Sequence, residues 1–190
     1  VLRTKGCLVI AGTKACAFWM RHVAGQCKEL YREWCLSRCS KVFEMETQVF
    51  ETTYGHDIKA DVYLSSHVKK DQKSPAVLFI HGGGLIMGHR KMIAPNLVQA
   101  FHEGGFHVIS IDYRLAPETK LPDIVGDIKD AWLWLQENAE SFAIDRNRIA
   151  VAGHSAGAFL TLLGGYVLEP RPVALISMAG YGRLTHAEFE

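Results

Sequence analysis

Over the second half of the chain, short apolar runs alternate with longer stretches of three-and-four spacing. This pattern predicts a parallel sheet covered by helices on both faces. Four strands are expected, at Ala76 to Ile80, His107 to Asp112, Arg148 to Gly153 and Val173 to Met178. The first intervening helix carries Ile93, Leu97 and Phe101 on one face, tolerates Pro95 in its first turn and stops at Gly104-Gly105. The second follows Pro122, with Ile124, Ile128, Ala131, Trp132 and Leu135 as its buried stripe and Asp127, Lys129, Glu137 and Glu140 turned to water. Trp132 and Trp134 therefore read as packing residues. The third helix, Ala156 to about Leu168, is largely apolar and ends before Pro170.

Earlier in the chain the period changes. Thr47 to Thr53 and Asp57 to Leu64 read as two strands around the turn residues Tyr54-Gly55-His56, with Ile58, Ala60, Val62 and Leu64 alternating onto one face. This is a hairpin at a sheet edge. The segment Ser65 to Ser74, with Lys69, Lys70 and Lys73, reads as a solvated loop. From Cys16 to Trp34 the larger apolar side chains fall at 16, 19, 23, 27, 30 and 34, one face of an amphipathic helix. The expected organisation is a helical segment over residues 1–45 and an α/β core over residues 46–190.

Composition narrows the class of partner. The chain has 190 residues and 48% hydrophobic content, enough for one good core. Lys plus Arg number 21 against 20 Asp plus Glu, so no charge field exists to attract nucleic acid or an anionic membrane. A small molecule is the expected partner. The cysteines, Cys7, Cys16, Cys27, Cys35 and Cys39, follow no zinc spacing, and their odd number favours reduced thiols and a cytoplasmic location. Arg3 and Lys5 precede an apolar run, Cys7 to Gly12, too short and too soon interrupted by Lys14 to be read as a signal peptide. No window approaches the ~20 apolar residues of a membrane span. The chain begins at Val1, so its own N-terminus is expected to be missing.

The candidate chemistry centres on Gly153-His-Ser-Ala-Gly157, between an apolar strand and an apolar helix. Gly153 and Gly157 lack the side chains that would collide across a sharp bend, and such a bend lifts the Ser155 hydroxyl clear of the sheet. Ser155 is read as a nucleophile, against the alternative of an ordinary small-residue turn. The same turn aims the Ala156 N–H and the start of a helix at the place where an oxyanion forms.

A second motif, His81-Gly82-Gly83-Gly84, follows the first parallel strand directly. Its bare backbone lets N–H groups approach a developing negative charge, so Gly83 and Gly84 join Ala156 as oxyanion donors. The alternatives are a flexible turn or a phosphate cradle. A phosphate loop needs a Lys-Ser/Thr pair, and Leu85-Ile86-Met87-Gly88 stands there instead. His81 precedes the serine, opposite to the order nucleophile, acid, histidine, and is read as supporting the glycine loop by a hydrogen bond.

Taken together, His81-Gly-Gly-Gly84, Asp112-Tyr-Arg-Leu-Ala-Pro-Glu118 and Gly153-His-Ser-Ala-Gly157, in this order and spacing, resemble the hormone-sensitive-lipase-like branch of the α/β-hydrolases. The resemblance covers about Val49 to Gly180. It implies an α/β-hydrolase fold with a mostly parallel sheet, carboxylic-ester hydrolysis, no cofactor and no metal. Carried over, Ser155 matches the nucleophile, and Gly83, Gly84 and Ala156 match the oxyanion donors. Asp112, Arg114 and Glu118 match a structural loop beside the site, and the helix Cys16 to Trp34 looks like part of the cap over the acyl pocket. Leu85 departs from the aromatic residue common after the glycines.

Only 35 residues follow Ser155, and the family's acid and histidine lie on later strands and loops. His154 is adjacent to the nucleophile, a geometry unsuited to a base, and His186 sits in a polar tail. The fold is therefore expected to be incomplete at the C-terminus, a truncated piece of an esterase. A non-catalytic small-molecule-binding protein and an inactive fragment of a longer esterase are the alternatives. Val173 to Met178 would then be an open strand edge that invites self-association.

Overall fold

The computed structural model describes residues 45–53, 55–67 and 72–180, together with the backbone strands Leu2–Thr4 and Cys7–Ala11. The expected helix from Cys16 to Trp34, Lys69, Lys70 and the tail containing His186 lie outside the described residues. Among the described residues eight strands form one sheet in the order β1-β2-β8-β7-β5-β6-β4-β3. In chain order they are β1 Leu2–Thr4, β2 Cys7–Ala11, β3 Met45–Glu51, β4 Asp57–Tyr63, β5 Ser74–Ile80, β6 His107–Ile111, β7 Ile144–His154 and β8 Ala174–Met178. The α-helices among the described residues are α1 Pro95–Glu103, α2 Leu121–Asn138 and α3 Ala156–Val167.

The four central strands run parallel, as their continuous apolar character requires. β3 and β4 form the expected antiparallel hairpin, with β4 antiparallel to β6 and β3 outermost. Ile58, Ala60 and Val62 face the core, whereas Leu64, one residue past the strand, is exposed. The alternation had run one step too far because the chain leaves the sheet there.

Side chains alternate across the sheet into two apolar layers. On one face α2 and α3 pack Ile124, Ile128, Trp132, Leu135 and Leu160 against Leu78, Ile80, Ile109 and Val151. On the other, Val98 of α1 and Ile93 cover Val77, Phe79, Val108 and Ala152. Pro95 opens α1 in its first turn, where its missing N–H costs nothing, and Gly105 past the end takes φ 78°.

Two expectations are corrected. Asp127 does not face water: it is 0% exposed, and both its oxygens receive the Arg114 guanidinium, with the closest contact at 2.6 Å and the Arg114 backbone N–H at 2.9 Å. An ion pair to the preceding loop has overridden its apparent place on the polar stripe of α2. Nor is β8 an open edge, because β2 pairs with it in parallel register, Leu8 opposite Ala174 and Ala11 opposite Ser177. The self-association expected through that edge loses its basis, since the ladder groups are taken. The short apolar run Cys7–Ala11, assigned from the sequence to a helical segment, thus belongs to the core sheet. Among the described residues no helix is long and apolar enough to cross a membrane.

Candidate active site

Strand β7 ends at His154 and α3 begins at Ala156, so Ser155 alone makes the turn between them. Its φ of 54° and ψ of −118° are uncommon for a residue with a side chain. Such strain persists only where the surroundings enforce it. Here the Ser155 N–H donates to the Met178 carbonyl at 2.9 Å, and the Ser155 carbonyl accepts from the Ala158 and Phe159 N–H groups at 3.0 and 3.2 Å. The flanking glycines are required by close backbone approach. A Cβ on Gly153 would overlap the Gly157 carbonyl, and one on Gly157 would overlap the Ile80 carbonyl at the end of β5. No side chain fits where α3 crosses that strand.

The end of β5 leads straight into His81 and the glycines. A Cβ added to Gly82 would stand 2.8 Å from the His154 carbonyl oxygen and 3.1 Å from Ser155 Cβ, so the two motifs are in contact. Gly83 and Gly84 take φ values of 121° and 64°. The Gly83 carbonyl accepts from the Ile86 and Met87 N–H groups at 3.2 and 3.1 Å, which closes a tight turn and leaves the Gly83 and Gly84 N–H groups without a backbone partner among the described residues. The N–H of Ala156, first in its helix, also lacks an intrahelical partner. Ser155, Gly83, Gly84 and Ala156 are therefore brought to one end of the parallel strands.

His81 is held away from solvent and bonded to the glycine loop. Its Nδ1–H donates to the Gly82 carbonyl at 2.7 Å, its ring lies on Tyr113, and burial lowers its pKa below the usual imidazole value. The other ring nitrogen, Nε2, is buried with no hydrogen-bond partner among the described residues. Gly88 leaves room for this ring, since a Cβ there would overlap Nδ1. The next loop, Asp112 to Glu118, is structural: Asp112 pairs with Arg90 and Arg114 with Asp127, while Glu118 is exposed.

Arg90, Asp61 and Tyr113 were not singled out from the sequence. Asp57, Lys59 and Asp61 alternate as the polar face of β4, which gives no local sign that Asp61 alone is buried. Only the loop folding back over β4 reveals it. No group of three or more His, Cys, Asp or Glu among the described residues is placed to hold a metal ion. A surface groove of about 420 Å³ lies elsewhere, lined by Val49, Phe50, Thr53, Asp130, Leu133 and Trp134, and does not include Ser155.

Known proteins resemble this chain over the same region. The BD-FAE family model matches residues 60–173. A bacterial heroin esterase of known structure is 30% identical, with a TM-score of 0.61, covering 75% of this chain and 47% of that one. Ethyl acetate hydrolase from Pseudomonas putida is 35% identical over 127 residues, 65% of this chain and 39% of that protein. The non-reducing polyketide synthase Preu6 of Preussia isomera is 34% identical over 146 residues, 71% of this chain and 7% of that protein. The chain thus spans less than half the length of each of these relatives. With the family model covering more than half of its residues and the strand–serine–helix turn set beside a glycine loop, the chain belongs to the BD-FAE family of esterase-like α/β-hydrolases.

Proposed function

We propose that the protein is a serine carboxylic-ester hydrolase in which Ser155 attacks the acyl carbon of a small-molecule ester. The N–H groups of Gly83, Gly84 and Ala156 receive the oxyanion of the tetrahedral intermediate. The observation that supports this reading is the close packing of the glycine loop against the serine turn, where a Cβ on Gly82 would stand 3.1 Å from Ser155 Cβ. Each such donor contributes ~3 kcal/mol to transition-state stabilisation, because it is fixed before charge develops. The N-terminus of α3 adds its dipole in the same direction. The chemistry needs no cofactor, and the unpatterned cysteines favour a cytoplasmic setting.

The serine proton needs a histidine, and His81, His102 and His107 are unsuited to the task. His81 commits Nδ1 to Gly82 and stacks on Tyr113. His107 starts β6 and His102 lies near the end of α1, so both sit at the opposite ends of the parallel strands from Ser155. We assign the base and the triad acid to residues outside those described. The same fact favours a second reading, a non-catalytic small-molecule-binding protein or an inactive fragment of a longer esterase.

Labelling with a fluorophosphonate and hydrolysis of aryl acetates separate these readings. In the full-length protein the probe should attach to Ser155, and Ser155→Ala should abolish labelling and lower turnover by about 10⁶. Binding of esters without turnover or labelling would replace the hydrolase reading by the binding one.

A further inference from the structure

The loop from Gly82 to Met92 carries the two glycine donors, and apolar burial anchors only part of it, through Leu85, which packs against the core. Ile86 and Met87 are each 59% exposed and Met92 is 54% exposed. The rest of its hold is polar. The Leu85 carbonyl accepts from the Ala116 N–H at 2.8 Å, and a few residues on, Arg90 is fixed at four points. Its backbone N–H donates to Asp112 Oδ1, its Nη1 to Asp112 Oδ2 and its Nε to Asp61 Oδ1, each at 2.7 Å. Its carbonyl accepts from Ser110 Oγ at 2.7 Å. Thr47 Oγ1 of β3 donates to the same Asp61 oxygen at 2.8 Å, so the clamp reaches across the hairpin.

The arrangement is nearly dry. The Arg90 side chain is 13% exposed, and Asp61 is fully buried with Oδ2 lacking a partner among the described residues. Two carboxylates around one guanidinium in such a place gain little net stability, because desolvation offsets their attraction. Their value is geometric, since the planar fork fixes direction as well as distance. Asp112 is followed by Tyr113, whose ring lies on His81. Adjacent residues at the end of β6 thus grip the loop at both sides of the glycines.

We propose that Arg90, clamped between Asp61 and Asp112, is a positioning residue that holds the Gly82–Met92 loop at the register in which its glycine amides face Ser155. Its catalytic consequence rests on the reading of Ser155 as the nucleophile, but its hold on the loop does not. Arg90→Lys keeps the charge and loses the fork. Asp61→Asn with Asp112→Asn keeps the shapes and removes the negative charges, and serves if the lysine variant folds poorly.

The experiment combines hydrogen exchange of peptides spanning 82–92 and 144–154 with p-nitrophenyl acetate kinetics in the full-length protein, normalised to sites titrated by a fluorophosphonate. Exchange in 82–92 should rise at least ~10-fold in the variants while 144–154 stays within about twofold, an opening confined to one loop. Turnover per titrated site should fall at least ~10-fold with KM within about twofold, the pattern of an interaction made in the transition state. Parental exchange across 82–92, or parental turnover per titrated site, overturns the proposal. If Ser155→Ala hydrolyses the ester as well as the parent, the hydrolase reading fails instead, and the exchange result alone decides whether Arg90 holds the loop.

Discussion

Tyr113 lies flat on His81, with ring centroids 4.2 Å apart and planes 10° from parallel, and its hydroxyl donates to the His81 carbonyl at 3.0 Å. The residue that opens the glycine loop is therefore fixed by side chain and backbone together. Tyr113→Phe keeps the stack and leaves a buried carbonyl short of one partner, a loss of ~1–2 kcal/mol. Tyr113→Ala also removes the ring, with a loss of ~4 kcal/mol. Urea unfolding midpoints of the two variants should fall in that order.

The glycines of the loop are not equivalent. A Cβ on Gly83 would overlap the Met87 carbonyl at φ 121°, whereas one on Gly84 would meet nothing nearer than Ile86 Cγ1 at 3.8 Å, at a φ of 64° that alanine adopts for ~1–2 kcal/mol. Gly83→Ala should therefore displace the turn and lower kcat of the full-length protein by ~10²–10³. Gly84→Ala should retain kcat within about tenfold. Steady-state kinetics on an aryl acetate gives the comparison, and equal losses would contradict it.

Asp127 supplies a test of the ion pair under α2. Asp127→Ala leaves the partly buried Arg114 guanidinium without its carboxylate and opens space beneath the helix. The expected loss is ~3 kcal/mol in chemical denaturation. Glu137→Ala, on the exposed side of the same helix, should stay within ~0.5 kcal/mol.

Stability should fall on the acid side of neutrality through His107. Burial first, and the neighbouring His102 second, lower its pKa to about 4. Its Nδ1 accepts from the Ser65 N–H at 2.9 Å, a bond made by the neutral ring. Because the folded pKa lies below the unfolded value near 6.5, the unfolded chain binds more protons between the two. The contribution is complete above about pH 6.5, shrinks as the pH falls, and is gone below about pH 4, amounting to ~3 kcal/mol at most. His102, lowered chiefly by burial, acts with the same sign. His107→Asn keeps an acceptor near Nδ1 without the proton, and should flatten the slope of unfolding free energy between pH 6.5 and 4.

The four parallel strands, the helices between them and the hairpin were legible in the sequence, because local periodicity reports which face of an element meets a core. The Gly153–Gly157 turn and the glycine loop were legible for a related reason: close backbone approach leaves glycine as the residue that fits, and glycine is visible in the sequence. What only the tertiary structure decided was the fate of polar positions and of strand edges. Asp61 and Asp127 carry the same letter and the same local pattern as their exposed neighbours, and their burial depends on Arg90 and Arg114 arriving from loops 29 and 13 residues away. The pairing of Cys7–Ala11 with β8 joins segments more than 160 residues apart, and a five-residue apolar run cannot specify its partner. Periodicity fixes which side of an element is dry; which charge meets which, and which strand closes an edge, depends on contacts that exist only once the chain has folded.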